Sequence, residues 1–269
     1  MQVAESVLFV HVSDTHFGTA RNYGRDSHTS YPCAVKFVEI INNLPAKPDF
    51  VVHTGDVATN PDPAAYALAR DVFSELNVPI YYVTGNHDSA QMIRETLPMG
   101  PLVWLVDEPE VLCYRFDVKG YRFLLLDGRA PDELDPHGYL SEDQLDVVRE
   151  ETARDGPPLT VFVHFPSLSL NSPWMDDNML IVNGEKLHEA LLPARNRLRG
   201  VFHGHIHQSM QTVRDGITYT AVPSTYSQFT AWPTDVLAAG KDLDYPPAFN
   251  VVQLLPQQTI VHQHVFSRP

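Results

Sequence analysis

Cysteine and basic residues are scarce in this 269-residue chain, and none of its apolar runs is long. The two cysteines, Cys33 and Cys113, have no CxxC spacing, which excludes a disulfide scaffold and a thiolate zinc site and leaves two small buried thiols. Lysine and arginine total 19 against 33 aspartates and glutamates, a formal charge of −14. Such a surface repels a phosphate backbone, so general nucleic-acid binding is not expected, and a phosphate fits only where bound cations reverse the local field. No run approaches the roughly 18 residues that a membrane span needs, and "MQVAESVLFVHVSD" has no basic stretch before its apolar run. A cytoplasmic protein without membrane contact is the expectation. No repeat, low-complexity tract or composition break divides the chain, so one domain over 1–269 is expected, and 43% hydrophobic residues can supply its core.

What the chain does have is short β-rich runs: "SVLFVHVS" (6–13), "FVVHTG" (50–55), "IYYVTG" (80–85), "VLCYRFDV" (111–118), "YRFLLLD" (121–127), "LTVFVH" (159–164), "GVFHG" (200–204), "ITYTAV" (217–222), "FNVVQLL" (249–255) and "TIVHQHVF" (259–266). Most are almost continuously apolar, as in strands covered on both faces. Helical patterns occupy 31–44, 62–76, 88–97, 141–155 and 184–194; Asp62 before Pro63, and Ser141 ahead of acidic residues, are starting signals. "DVKG" (117–120) reads as a tight hairpin turn. Helices alternate with strands early and hairpin-like pairs enter later, which predicts an α/β fold of two packed sheets with helices outside. Segments 15–31, 165–183 and 223–248 lack periodicity and read as surface loops that could rim a site; 224–250 could also form a subunit contact.

The chemistry sits where strands stop. Successive runs deliver Asp14 and His16, then Asp56, then Asn86 and His87, then His164, then His205 and His207. Ligands bind beyond the carboxyl ends of strands in α/β folds, so five such ends bearing oxygen or imidazole donors predict one convergent site. Taken singly, each has a plainer explanation: Asp14 or Asp56 in an Asx turn, His164 as a hydrogen-bonded structural histidine, "GNHD" as a turn into a helix capped by Asp88. Independent turns have no reason to choose metal-competent donors at five strand ends. A donor set of nitrogen and oxygen suits Mn, Fe, Zn, Co or Mg, and seven donors are too many for one tetrahedral ion but enough for two. His53 and His11, inside strands, read as supports behind the donors.

In order, "SDTH" (13–16), "GDV" (55–57), "GNHD" (85–88), "FVHFP" (162–166) and "HGHIH" (203–207) resemble the signature of the calcineurin-like metallophosphoesterases. The resemblance implies a four-layer αββα sandwich of two mixed sheets and a dinuclear centre. In it Asp14, His16 and His207 would hold one ion, Asn86, His164 and His205 the other, and Asp56 would bridge. His87 would face the substrate phosphate, and His203, which matches no required ligand, would be a support behind the ligands or a core histidine. The stretches "HVSDTHFG" and "NSPWMDDNMLIVNGEKL" (171–187) look like the branch that hydrolyses cyclic nucleotides and glycerophosphodiesters, where a Met-Asp followed by an Asn lies over the site; here these would be Met175, Asp176 and Asn183. Phe165 stands where many relatives carry a second His or a Pro. The expected reaction is in-line attack on a small phosphodiester by hydroxide held between two ions, with His87 protonating the leaving alkoxide or steadying phosphoryl oxygens. Two divalent ions, one hydroxide and two carboxylates sum to about +1, which a diester monoanion neutralises. Alternatives on the same core are a phosphomonoesterase, a nucleotide or lipid pyrophosphohydrolase, and a metal-free scaffold. A homodimer or higher homo-oligomer is expected by analogy.

Overall fold

The computed structural model describes residues 5–25, 27–153 and 155–269. Two sheets face one another. The first has five strands in the order Gln258–Val265, Ala248–Leu255, Val7–Val12, Phe50–His53, Ile80–Tyr82, and the last three are parallel. The second has seven, in the order Gln211–Arg214, Ile217–Ala221, Leu198–His203, Leu159–Phe162, Tyr121–Leu125, Tyr114–Val118, Val103–Trp104, with its central four parallel.

Aromatic residues from the two inner faces interdigitate between the layers. Phe9 stacks on Phe50 at 5.1 Å, and both meet Phe123 edge-on at 6.1 and 4.8 Å, while Phe162 and Phe202 close on Phe9. Alternation makes this possible: along Leu159–Phe162, Phe162 turns to this interlayer while Leu159 and Val161 turn outward. Helices α1 (Ser30–Asn42), α2 (Pro63–Phe73) and α3 (Ala90–Thr96) belong to the core of the first sheet. Helices α4 (Glu142–Ala153) and α6 (Gly184–Leu191) bury Leu145, Val148, Leu187 and Leu191 with the outer face of the second. The expected αββα sandwich results.

Local signals carried much of this. Asp62 accepts the Ala64 amide at 2.8 Å, Ser141 accepts that of Gln144 at 3.3 Å, and the hairpin pairs Val118 with Tyr121 through Lys119 and Gly120, both at positive φ. Three readings need correcting. Asp88 does not cap α3, since Ser89 does, through the Met92 amide. Segment 165–183 is no surface loop: Phe165, Leu168, Met175, Met179 and Ile181 are buried, and it contains helix α5 (Pro173–Asn178). Its apolar residues lack a period because Phe165, Leu168 and Ile181 enter the core outside the second sheet while Met175 and Met179 enter a separate small cluster. Segment 223–248 begins buried, at Ser224 to Gln228, and holds the short strand pair Gln228–Phe229 and Lys241–Asp242. Cys33 and Cys113 are buried free thiols, and no helix among the described residues is long and apolar enough to cross a membrane.

Candidate metal centre

Parallel strands within each sheet bring their carboxyl ends to one side of the sandwich, where all the predicted donors emerge. From the first sheet come Asp14, His16, Asp56, Asn86 and His87, and from the second His164, His205 and His207. Three groups of donor atoms lie within 4.8 Å of one another: Asp14, His16 and His207; His16, Asp56 and His87; Asp56, His164 and His205. In the first group the separations are 3.2, 3.2 and 3.9 Å, which a cation with bonds of about 2.0–2.2 Å can span.

Asp56 joins the groups. Its Oδ2 lies 3.5 Å from His16 Nε2 and 3.4 Å from His164 Nε2, so one carboxylate oxygen faces both sets. His207 Nε2 is 3.2 Å from Asp14 Oδ1 and 3.2 Å from His16 Nε2; His205 Nδ1 is 3.1 Å from His164 Nε2. Each of these imidazole pairs is close enough to share a proton in an N–H···N hydrogen bond or to share a cation. Asp14 Oδ1 and Asn86 Oδ1 are buried and make no hydrogen bond, as a metal donor left without its cation must be. Asn86 is held by its other end, where Nδ2 donates to Asp135 Oδ1 at 3.1 Å. The side chains present therefore fit metal ions of the nitrogen- and oxygen-preferring kind.

The local backbone is built for this convergence. Asp14, His16, Asp56, His205 and His207 all have φ between 46° and 68°, a left-handed conformation that costs a β-carbon-bearing residue about 1 kcal/mol or more. The motif glycines make room. A β-carbon on Gly85 would lie 2.1 Å from Asp56 Oδ1, and one on Gly204 would lie 1.9 Å from Ser13 Oγ, so no larger residue fits against the carboxylates.

Backbone carbonyls fix which nitrogen each ring presents. His164 Nδ1 donates to Thr54 O at 2.6 Å, His207 Nδ1 to Ser227 O at 2.9 Å, and His87 Nδ1 to Thr59 O at 2.8 Å, so each Nε2 carries the lone pair when its ring is neutral. Phe165 packs edge-on against both His164 (4.8 Å) and His205 (4.6 Å), which gives this departure from the family pattern a packing role.

The protein's own charges act strongly on one another here. Burial opposes ionisation of His164, but the carboxylates of Asp56 and Asp14 outweigh it and raise its pKa to about 9. Burial likewise opposes charge on Asp56, which the His164 ring overrides, holding that carboxyl well below its usual range. Burial keeps His16 and His205 neutral. Behind them, burial lowers His11, takes His53 down to about 3 and His203 to about 4, so these three are uncharged supports. His53 Nε2 meets Thr15 Oγ1 at 3.0 Å, and His11 Nε2 meets Thr54 Oγ1 at 2.9 Å. His203, the first imidazole of "HGHIH", meets the Gly204 carbonyl through Nδ1 at 3.3 Å and joins no donor group among the described residues.

Sequence reasoning missed three groups. Asp88 is fully buried and accepts from the amides of Val57, Ala58 and Gly85 and from Tyr66 Oη, pinning the loop of Asp56 to that of Asn86; burial raises its pKa to about 6. Its signal was its place beside His87, mistaken for a cap. Arg25 Nη1 reaches within 3.3 Å of His16 Nδ1, and Asp135 holds Asn86, but neither has a motif to announce it. Of the weaker candidates, Met175 is buried in a small apolar cluster with Ile206, the residue between His205 and His207. Asp176 accepts from Ser169 Oγ (2.6 Å) and the Leu170 amide (2.7 Å), and the Asn183 amide group bonds both backbone groups of Leu140. The polar ends of Asp176 and Asn183 are thus hydrogen-bonded within the chain.

Known proteins agree with this geometry. A family model described as calcineurin-like phosphoesterase matches residues 7–209. The 3′,5′-cyclic adenosine monophosphate phosphodiesterase CpdA of Pseudomonas aeruginosa is 31% identical over 235 residues, covering 86% of this chain and 80% of that one. The glycerophosphodiester phosphodiesterase GpdQ of Enterobacter lignolyticus is 29% identical over 262 residues, covering 96% and 91%. Among solved structures, GAP50, the anchor in the inner membrane complex of Plasmodium, superposes with a TM-score of 0.59 at 15% identity over 98% of this chain and 89% of its own, a likeness of fold. The chain belongs to the calcineurin-like phosphoesterase family and is a metallophosphoesterase.

Proposed function

We infer that the protein hydrolyses small phosphodiesters, 3′,5′-cyclic nucleotides such as cAMP or glycerophosphodiesters, at a centre of two metal ions in the cytoplasm. Relatives named for both substrate classes support the reading. The observation that carries it is the single Asp56 oxygen 3.5 Å from His16 and 3.4 Å from His164, a bridging carboxylate between two donor sets.

In this reading Asp14, His16 and His207 hold one ion, Asn86, His164 and His205 the other, with Mn, Fe, Zn, Co or Mg as candidates. When bound, such a pair activates water near neutral pH and offsets charge on the phosphoryl group. The chain's residues do the rest. Asp14 and Asp56 supply the only two negative charges among the ligands, which leaves a net positive site suited to a diester monoanion. Carbonyls of Thr54 and Ser227 keep the lone pairs of His164 and His207 aimed inward. His87, hydrogen-bonded through Nδ1 to Thr59, has only Nε2 to offer a substrate, so it donates to a phosphoryl oxygen or leaving alkoxide as the imidazolium. Met175 supports the turn that carries His205 and His207.

The test is metal analysis of purified protein together with turnover of cAMP, glycerophosphocholine and phosphomonoesters. Near two ions per chain and a diester preference support the reading; hydrolysis confined to monoesters, or no metal after purification in manganese, overturns it.

A further inference from the structure

Far from the metal loops, the two layers part. In the first sheet, Ala248–Leu255 runs antiparallel to Val7–Val12, so its turn into Gln258–Val265 lies at the end opposite Asp14. In the second, Leu198–His203 starts at that same end. Between them lies a cleft of about 320 Å³, within the size range of small-molecule sites. Its floor includes Phe202, and around it stand Arg199, Gln211, Thr218, Thr220 and Gln258.

Its chemistry is unusual for this chain. The overall charge is −14, yet the described residues lining the cleft include an arginine and neither aspartate nor glutamate. A register shift explains the arginine's direction. Leu198 pairs with Leu159 and Gly200 with Thr160, so Arg199 is an extra residue in the ladder, a bulge that re-aims its side chain. It crosses to the opposite turn, where Nη2 donates to Pro256 O at 2.7 Å, and leaves Nε–H buried with no partner. Buried donors are nearly always satisfied, so an orphaned guanidinium N–H on a residue that lines this cleft marks a missing partner.

We propose that this cleft is a second ligand site, separate from the metal centre, for a small hydroxylated oxyanion whose charged head pairs with Arg199. Thr218 and Thr220 face the same gap and match hydroxyls on the body of such a molecule. A planar guanidinium already anchored at one nitrogen presents its remaining donors in a fixed direction, which suits a carboxylate or phosphate head.

Titration of the ¹⁵N-labelled, zinc-loaded full chain tests this, with inorganic phosphate and D-gluconate as probes. The Nε–H resonance of Arg199 is identified by its loss in R199K. The expected result is a saturable shift with a Kd of about 1 mM or tighter. A shift with phosphate alone identifies a phosphate head; one with gluconate alone identifies a carboxylate. T218W, which fills the cleft, should abolish the shift while phosphodiester hydrolysis is unchanged, and T220V, which keeps the shape, should weaken it about tenfold. An Arg199 signal unmoved by about 10 mM of either probe, or one that still saturates in T218W, means that the cleft holds only water and overturns the proposal. Hydrolysis is read separately at the other end of the sandwich, so either result leaves the metal-centre reading intact.

Discussion

The Nδ1–H of His164, past the end of a strand in one sheet, is bonded at 2.6 Å to the carbonyl of Thr54, past the end of a strand in the other. The ring that faces Asp56 is therefore also a tie between the two layers. Replacing it removes a metal donor and leaves the buried Thr54 carbonyl unpaired. We expect His164→Ala to bind fewer ions per chain than the parent and, with both proteins metal-free, to be less stable by about 1–3 kcal/mol. Elemental analysis and denaturant unfolding check the two effects separately.

Acid and base act on the metal-free protein through the same residue. His164 has its pKa raised to about 9, above the ordinary value of 6.5, so its pairing with Asp56 stabilises the fold fully below pH 6.5 and is lost as pH rises through 9. Chelator-treated protein should lose stability between those values. Metal-loaded protein, in which the ring must be neutral to ligate, should not lose it through this group. Thermal melts with and without chelator across that window give the comparison, and proton release on adding metal at pH 7.5 should accompany it.

The clustered donors were legible in the sequence because each stands just beyond an apolar run, and a strand end is a local signal. Asp14 follows Val7–Val12 by two residues, and His205 follows Leu198–His203 by two. What orients them was not legible. The Ser227 carbonyl lies 20 residues from His207 and the Thr54 carbonyl 110 from His164, and any residue type supplies a carbonyl. The distant cleft was hidden for a related reason, since it depends on a one-residue register shift at Arg199 that no composition or period encodes.

Asp88 shows how far such hidden support reaches. Its two oxygens serve three amides and the Tyr66 hydroxyl, and they hold the Asp56 and Asn86 loops together. An amide in its place keeps the shape but gives up one acceptor oxygen to an NH₂ group that faces donors. Asp88→Asn should therefore weaken metal binding by about 10–100-fold, measured by competition with a chelating dye, although it touches no ion. Tyr66→Phe removes one of the four donors and should have a smaller effect in the same direction.

Asp56 itself separates bridging from simple ligation. Its Oδ2 lies between His16 and His164, while Oδ1 accepts the His87 amide at 3.0 Å. Asp56→Asn keeps the volume and can still accept that amide, but it lacks the charge that two adjacent cations require. Hydrolysis should fall to background with less than the parent's metal content; full activity would show that the two donor sets do not share this carboxylate.

His87 is the one imidazole of the cluster assigned to the substrate rather than to metal, and its two possible duties predict different losses. With Nδ1 committed to Thr59, any proton it gives leaves from Nε2. If that proton goes to the leaving alkoxide, His87→Ala should retain the full metal content yet slow an alkyl diester such as glycerophosphocholine by about 10²–10⁴-fold. A nitrophenyl diester, whose leaving group departs without protonation, should then be slowed much less. If His87 instead steadies phosphoryl oxygens, both substrates lose rate alike, because the charge on those oxygens does not depend on the leaving group's basicity. The ratio of the two losses, read from kcat/KM on one metal-loaded preparation, therefore assigns the proton to its destination.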